Sequence, residues 1–162
     1  MKIIQANETH IDQVVELFDA YRVWYRKPSD KATARDFLLE RIQSKESIIY
    51  AAENENGQLV GFTQLYPIFS STRMRRMWLL NDLFVHPESR GKGISKMLIN
   101  QAKDLAKSNH ACGILLETEK SNDIGNQLYP RMDFELESNN FYFWTNESVS
   151  YTHLTLPTKR IV

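Results

Sequence analysis

The fold of this chain is decided by one stretch, Leu80-Asn-Asp-Leu-Phe-Val-His-Pro-Glu-Ser-Arg-Gly-Lys-Gly-Ile-Ser95. Its apolar first half predicts a buried strand, and the glycine-rich turn that follows opens directly into an amphipathic helix. Such a turn aims several unpaired main-chain N–H groups and the positive end of a helix dipole at one place, which suits a phosphate or diphosphate. Arg90 and Lys92 can add charge-assisted hydrogen bonds to it. Alternatively, Gly91 and Gly93 only turn the chain, and both basic side chains lie in solvent.

Apolar periodicity on either side of this stretch predicts an α/β (α+β) domain in the order β-α-α-β-β-β-α-β-α-β-β. We expect a single mixed, mostly antiparallel, twisted sheet flanked by helices. The predicted strands are 2–6, 47–53, 58–69, 77–85, 113–118, 134–137 and 141–144. No linker divides residues 1–148, which we interpret as one domain. Residues 149–162 contain no acidic residue and no helical period, and we expect a non-native or disordered tail there.

Composition excludes several classes of protein. The 162 residues include 20 basic and 20 acidic side chains, and this balance argues against a nucleic-acid partner. No apolar run approaches the roughly 20 residues of a membrane-spanning helix. The single cysteine, Cys112, excludes an internal disulfide, so we expect a cytoplasmic protein. The histidines show no metal-ligand spacing, and no metal is expected.

Two motifs together resemble the GCN5-related N-acetyltransferase (GNAT) superfamily, which moves an acetyl group from acetyl-CoA to an amine. The glycine loop of that family reads [Gln/Arg]-x-x-Gly-x-[Gly/Ala], and Arg90-Gly-Lys-Gly-Ile-Ser95 matches it except at Ser95. The later motif is matched by Asn122-Asp-Ile-Gly-Asn-Gln-Leu-Tyr129, followed by Asp133-Phe134. Gly125 replaces the usual alanine and Asp133 the usual glycine.

The resemblance implies a binding site for acetyl-CoA. Its pantetheine arm would lie between two splayed strands and pair with the main chain of Leu83, Phe84 and Val85. Asn122 would contact the same cofactor, cap its own helix, or do both. The pyrophosphate would be held by main-chain amides of the loop, namely those of Arg90, Gly91, Lys92, Gly93, Ile94 and Ser95.

The resemblance also implies the proton transfers of the reaction. Tyr129 matches the tyrosine that protonates the departing thiolate, and a phenol with a reference pKa of about 10 is able to donate at pH 7. The base that deprotonates the amine is Asp82, Glu117 or a chain of water molecules, and either carboxylate can instead be purely structural. Cys112 lies outside both motifs, so we expect direct transfer in a ternary complex.

The acceptor is expected to be a primary amine on a small molecule. In the resembling enzymes the first two helices and their connection wall the acceptor site, which makes Arg22, Tyr25 and Arg26 the candidate substrate residues. The alternative is that Tyr25 completes the helix core and both arginines are solvated. A non-catalytic acyl-CoA sensor is the rival function. The aromatic residues within 134–144 are either a homodimer contact or internal core.

Overall fold

The structure, a computed structural model, describes residues 1–146. The predicted tail, 149–162, lies outside the described residues. The strands are β1 (Lys2–Gln5), β2 (Ile48–Glu53), β3 (Leu59–Ser70), β4 (Arg75–Val85) and β5 (Ile114–Leu115). The α-helices are α1 (Ile11–Trp24), α2 (Lys31–Gln43), α3 (Ile94–Ser108) and α4 (Asp123–Arg131). The chain forms two compact units, Met1–Leu116 and a second that begins at Glu117.

The first unit is built on one sheet with the strand order β1-β2-β3-β4-β5. The first four strands are antiparallel to their neighbours, whereas β5 runs parallel to β4. Because a parallel connection needs a long crossover, α3 carries the chain back between these two strands. The predicted fold class, a mixed and mostly antiparallel sheet flanked by helices, is confirmed.

A core of aromatic and aliphatic side chains joins α1 and α2 to one face of the sheet. Phe18 and Tyr21 of α1 pack against Phe62 of β3 with ring centroids 6.2 and 5.9 Å away. Tyr21 also contacts Phe84 of β4, at 6.2 Å. Buried residues recur at three- and four-residue intervals in α1, and they alternate along β4 from Trp78 to Phe84, as burial of one face requires.

A β-bulge interrupts the pairing of β3 with β4. Gln64 pairs with Asp82, whereas the next residue, Leu65, pairs with Leu80. Asn81 is therefore the extra residue on β4. A bulge shifts by one residue the alternation of main-chain N–H and C=O groups along a strand. Odd-numbered and even-numbered residues of β4 therefore exchange edges at Asn81.

The two closing strands predicted at 134–137 and 141–144 are wrong for the described chain, in which the second unit contains α4 and no strand. Phe141, Tyr142, Phe143 and Trp144 have 65–91% of their surface exposed. Aromatic residues favour strands only where neighbouring strands pair with them and cover them. The aromatic residues of this segment indicated a preference for strand, but no strand pairs with the segment among residues 1–146.

Candidate functional site

The glycine loop connects β4 to α3 in a conformation that only glycine adopts readily. After Val85, a single 3₁₀ turn, Pro87–Ser89, leads into Gly91 at φ +81° and Gly93 at φ +77°. Both values lie in the left-handed region. A Cβ atom built on either glycine meets nothing within 4 Å. The main-chain conformation therefore demands glycine here, and crowding by other residues does not.

Main-chain amides at the start of α3 have no partner within the described chain. The first helical hydrogen bond is donated by Met97 N to Gly93 O, at 3.1 Å. No amide from Gly91 to Lys96 donates to another group of residues 1–146, and Gly93 precedes the helix without a side-chain cap. These donors and the positive end of a 15-residue helix are able to accept an anion, as the sequence predicts for this loop.

The Arg90 side chain does not extend toward these amides as a free cation. Its Nε donates to Val85 O at 2.9 Å. Its Cζ lies 4.7 Å from the ring centroid of Trp24 and 5.5 Å from that of Phe84. The guanidinium is therefore engaged by a carbonyl and two aromatic faces, while Lys92 stays exposed.

The edge of β4 that faces β5 is open along its second half. β5 pairs with β4 only at Trp78 and Leu79 within the described sheet. His86 N donates to Val60 O of β3, at 2.8 Å. Since main-chain groups alternate along a strand, those of Leu83 and Val85 point to the open edge and those of Phe84 point to β3. Because the main-chain groups of Phe84 point to β3, this residue contributes its ring rather than its main chain to the region. The Val85 carbonyl already accepts from Arg90, which leaves the Val85 N–H.

Asp82 is a buried carboxyl on the second half of β4. Only 3% of its surface is exposed. Gln64 Nε2 donates to Oδ2 at 2.6 Å and Asn81 Nδ2 donates to Oδ1 at 3.0 Å. Burial raises the pKa of Asp82, although hydrogen bonds from Gln64, Tyr21 and Asn81 oppose this shift. Burial raises the pKa of the Tyr66 phenol, and the charge of Asp82 adds to that shift.

Gln64 was missed by the sequence analysis. It is fully buried, and its Oε1 has no hydrogen-bond partner in the described chain. The available signal was a lone side-chain amide, next to Thr63, inside the mainly apolar strand Leu59–Ser70. Because buried polar groups are nearly always paired, that position indicated a polar cluster within the core.

The connection between α1 and α2 is fixed by its own polar contacts. Arg22 Nη1 donates to Pro28 O at 3.0 Å, so this predicted substrate residue braces the connection. Tyr25 packs edge-on against Tyr21, with centroids 5.1 Å apart. Arg26 is exposed, at φ +69°. Of the three candidates, Arg26 is the most exposed, whereas Arg22 and Tyr25 are half-buried.

Asp19 was also missed, although it anchors the same connection. It is 4% exposed and accepts from Ser29 Oγ at 2.6 Å and from Asp30 N at 2.8 Å. A carboxylate on the apolar face of a predicted helix was the available signal. A buried charge requires such hydrogen bonds. Asp19 therefore joins the second half of α1 to the residues that immediately precede α2.

In the second unit, Asn122 caps α4 as predicted. Its Oδ1 accepts from Gly125 N at 3.1 Å and its Nδ2 donates to Thr118 Oγ1 at 2.8 Å. A Cβ atom at Gly125 would stand 2.6 Å from Asn122 Nδ2, so glycine in place of the family's alanine suits this cap. Glu117 is half-buried at the beginning of this unit.

Tyr129 is buried within the second unit and lies in the last turns of α4. Its ring packs edge-on against Phe134, with centroids 5.8 Å apart, and its carbonyl accepts from Phe134 N at 3.0 Å. Asp133 has φ +68°, a conformation that aspartate tolerates better than most residues. Asp133 therefore makes the left-handed turn that glycine makes in the resembling family.

Two absences apply to residues 1–146. No cluster of three or more histidine, cysteine, aspartate or glutamate side chains stands ready to hold a metal ion in that range. Nor does any helix of that range combine the length and the apolar character needed to cross a membrane.

Comparison with known proteins defines the class. Residues 11–134 match the acetyltransferase (GNAT) family. The uncharacterized N-acetyltransferase YhfO of Bacillus subtilis is 42% identical over 146 residues, which cover 90% of this chain and 97% of that protein. The chain belongs to the GNAT family of acetyltransferases.

Solved structures agree with this assignment. The crystal structure of a probable acetyltransferase is 34% identical, with a TM-score of 0.87 and coverage of 91% of this chain and 99% of that one. The protein AAC(6')-Iy, solved with the bisubstrate analogue CoA-S-monomethyl-acetylneamine, has a TM-score of 0.71 at 21% identity, covering 90% of this chain and 97% of that one. At that identity the second likeness concerns the fold alone.

Proposed function

We propose that this chain is an N-acetyltransferase that transfers the acetyl group of acetyl-CoA directly to a primary amine of a small molecule in a ternary complex. One observation carries the proposal: the unpartnered amides from Gly91 to Lys96 at the start of α3, beside the open edge of β4. The unpartnered amides can bind an anion, and the open strand edge can pair with an extended chain. The bisubstrate analogue bound to AAC(6')-Iy joins CoA to an amine-bearing molecule, which supports the same pairing of substrates.

The residues present fit acetyl-CoA, which supplies an acetyl group activated as a thioester. The amides from Gly91 to Ser95 would hold the pyrophosphate, whereas the predicted contribution of Arg90 is weakened, because its amide donates to Pro87 O at 3.4 Å and its guanidinium is engaged. The main-chain groups of Leu83 and the N–H of Val85 would pair with the pantetheine arm. Asn122 would add a cofactor contact to its capping role.

Two proton transfers are assigned to side chains of this chain. Tyr129 would protonate the departing thiolate, because its phenol carries a proton at neutral pH. Asp82 or Glu117 would accept the proton of the amine, directly or through water. The raised pKa of Asp82 favours it, since a base whose pKa lies closer to the working pH competes better for that proton.

The acceptor side is assigned to the α1–α2 connection. Arg26 is exposed and would contact the substrate, whereas Arg22 and Tyr25 would shape the wall through the contacts that hold them. A primary amine that also bears an anionic group fits the charge of Arg26.

Turnover of acetyl-CoA across a panel of amines, amino acids and polyamines, followed as free thiol, tests the function. We expect Tyr129→Phe to lower the turnover rate about 10- to 100-fold while calorimetric CoA affinity stays nearly unchanged. Tyr142→Phe is the matched control, because that tyrosine is 91% exposed in the same unit and has no role assigned in acetyl transfer or in CoA binding. Unchanged turnover in Tyr129→Phe would remove this phenol from the mechanism.

The rival function, a non-catalytic acyl-CoA sensor, gives a different result in the same experiments. It predicts calorimetric binding of CoA together with no thiol release from any amine of the panel. If the wild-type protein neither binds CoA nor releases thiol, both functions are contradicted.

The homodimer expected through residues 134–144 stays a prediction. Four consecutive aromatic side chains are exposed there, an arrangement that often marks a protein contact. Light scattering on the wild-type chain and on Phe143→Ser tests it. A monomer at all concentrations would exclude this contact.

A further inference from the structure

A cavity of about 400 Å³ lies in the first unit, at the end of the sheet away from the glycine loop. The residues that line it include Gln5 at the end of β1, Ile48 at the start of β2 and Arg76 near the start of β4. At about 3.3 Å per residue, the length of β4 from Arg76 to Val85 separates the cavity from the glycine loop by roughly 30 Å. A small molecule in this cavity would therefore not occupy the proposed coenzyme site.

The charged side chains that line the cavity are both basic. Lys45 lies just after α2, and Arg76 lies near the start of β4. No carboxylate of residues 1–146 lines the cavity. The acidic side chains close to Lys45 in sequence, Glu40 and Glu46, are both paired with Arg41. The charge of the cavity therefore suits an anion.

The Arg76 guanidinium is half-buried and has neither a hydrogen-bond acceptor nor an ion-pair partner within residues 1–146. Its Cζ lies 5.1 Å from the ring centroid of Phe69 and 5.5 Å from that of Trp78. These ring contacts position the guanidinium and leave its N–H groups available. A planar guanidinium pairs best with a carboxylate, which can accept two parallel hydrogen bonds from it.

Ser47 adds an unpaired hydroxyl to the same cavity. This residue is 9% exposed, and its Oγ has no hydrogen-bond partner in the described chain. Because buried hydroxyls are nearly always hydrogen-bonded, a hydroxyl of this kind can turn to a bound acceptor without giving up an existing bond. Most of the remaining wall is apolar and includes Ile42, Pro67 and Trp78. A ligand that fits this wall carries an apolar body as well as its charge.

We propose that this cavity is a binding site for a small carboxylic acid with an aromatic or branched aliphatic body. Arg76 would hold the carboxylate by two hydrogen bonds, and Lys45 would add a second positive charge. The apolar wall would cover the body of the acid. The cavity volume lies within the range of small-molecule sites, about 300–1,000 Å³. The inference is independent of the proposed function, because no step of acetyl transfer uses these residues.

Titration of the full ¹⁵N-labelled chain with phenylacetate, followed by NMR, tests the inference. We expect the indole N–H of Trp78 and the amides that line the cavity to shift. The indole N–H groups of Trp24 and Trp144 lie outside the cavity and should not shift, so they are internal controls. 4-Methylpentanoate should produce the same pattern. Phenylacetamide lacks the charge and inorganic phosphate lacks the apolar body, so each should bind at least about tenfold more weakly.

Two variants separate binding from folding. Arg76→Gln should raise the Kd for phenylacetate at least about tenfold, because it removes the charged hydrogen bonds. Arg73→Gln is the matched control, since this exposed arginine of the β3–β4 turn does not line the cavity, and the Kd should stay unchanged. Lys45 has φ +55°, a conformation that favours glycine after a helix. Lys45→Gly should therefore weaken binding without lowering the Tm, a combination that a purely structural role of Lys45 would not give.

The inference is overturned if neither acid shifts the Trp78 indole at concentrations of about 10 mM. Equal affinities for phenylacetate and phenylacetamide, or for phenylacetate and phosphate, also overturn it, because the site would then select for only one of the two features. Equal affinities of the wild type and Arg76→Gln have the same consequence. If Arg76→Gln fails to fold, Lys45→Gly decides the question. Failure of the wild type to bind CoA overturns the proposed function and leaves this inference standing.

Discussion

Replacing Gly93 by alanine separates the strain of the loop from its role in binding. Gly93 and Gly57 have nearly the same φ, +77° and +76°, and a Cβ at either position meets nothing within 4 Å. Gly57 lies in the β2–β3 turn, where Gly57 N donates to Asn54 O. Each alanine should therefore cost about 1–2 kcal/mol of unfolding free energy from the left-handed conformation alone. Urea unfolding should show similar losses for Gly93→Ala and Gly57→Ala.

Binding of CoA should distinguish the two variants. In Gly93→Ala the left-handed conformation at φ +77° is strained, and a main chain that leaves it would turn the residue 93 amide away from the phosphate oxygen. Loss of one hydrogen bond to a charged group corresponds to about 1.5–3 kcal/mol, or roughly a 10- to 150-fold increase in Kd. Gly57→Ala should leave the Kd unchanged in the same calorimetric titration. Equal CoA affinities for the two variants would refute the pyrophosphate assignment.

Two further predictions concern buried carboxylates. The folded-state pKa of Asp82 is raised, so ionisation of Asp82 destabilises the fold as pH rises from below the unfolded pKa of about 3.9 through the folded pKa. The stability of Asp82→Asn relative to wild type should therefore increase over that range in urea unfolding, and a pH-independent difference would contradict the shift. Asp19→Ala removes the acceptor of Ser29 Oγ and Asp30 N and should lower the unfolding free energy by about 2–3 kcal/mol. Asp36→Ala, on the exposed surface of α2, is its control. An equal loss of unfolding free energy in Asp36→Ala would show that Asp19 does not stabilise the connection.

Local patterns predicted the elements that position the site. The apolar period behind Ile11 predicted α1, and that behind Ile94 predicted α3, because each helix buries one face against the sheet. The left-handed glycines and the Asn122 cap are likewise local features, determined by a residue and its immediate neighbours. Such features can be predicted from sequence because they do not depend on residues distant along the chain.

Features that depend on partners distant in sequence were not predictable. The bulge at Asn81 exists only in the register of β4 against β3, and it decides which groups of β4 face the open edge. The stacking of Arg90 on Trp24 joins residues 66 positions apart, and no period in the sequence reports it. The strands predicted within 134–144 failed for the same reason, because strand formation requires a partner that the segment itself does not specify.

The engagement of Arg90 changes what the glycine loop requires of its side chains. With the guanidinium held between two aromatic rings, the proposed anion site would consist mainly of neutral main-chain amides and the helix dipole. A site built from amides depends on main-chain conformation, so it needs Gly91 and Gly93 but accepts varied side chains elsewhere. Ser95 departs from the family's glycine or alanine at a position whose main-chain amide has no partner among residues 1–146. The glycines and the start of the helix, more than the basic residues beside them, are therefore the informative part of this loop.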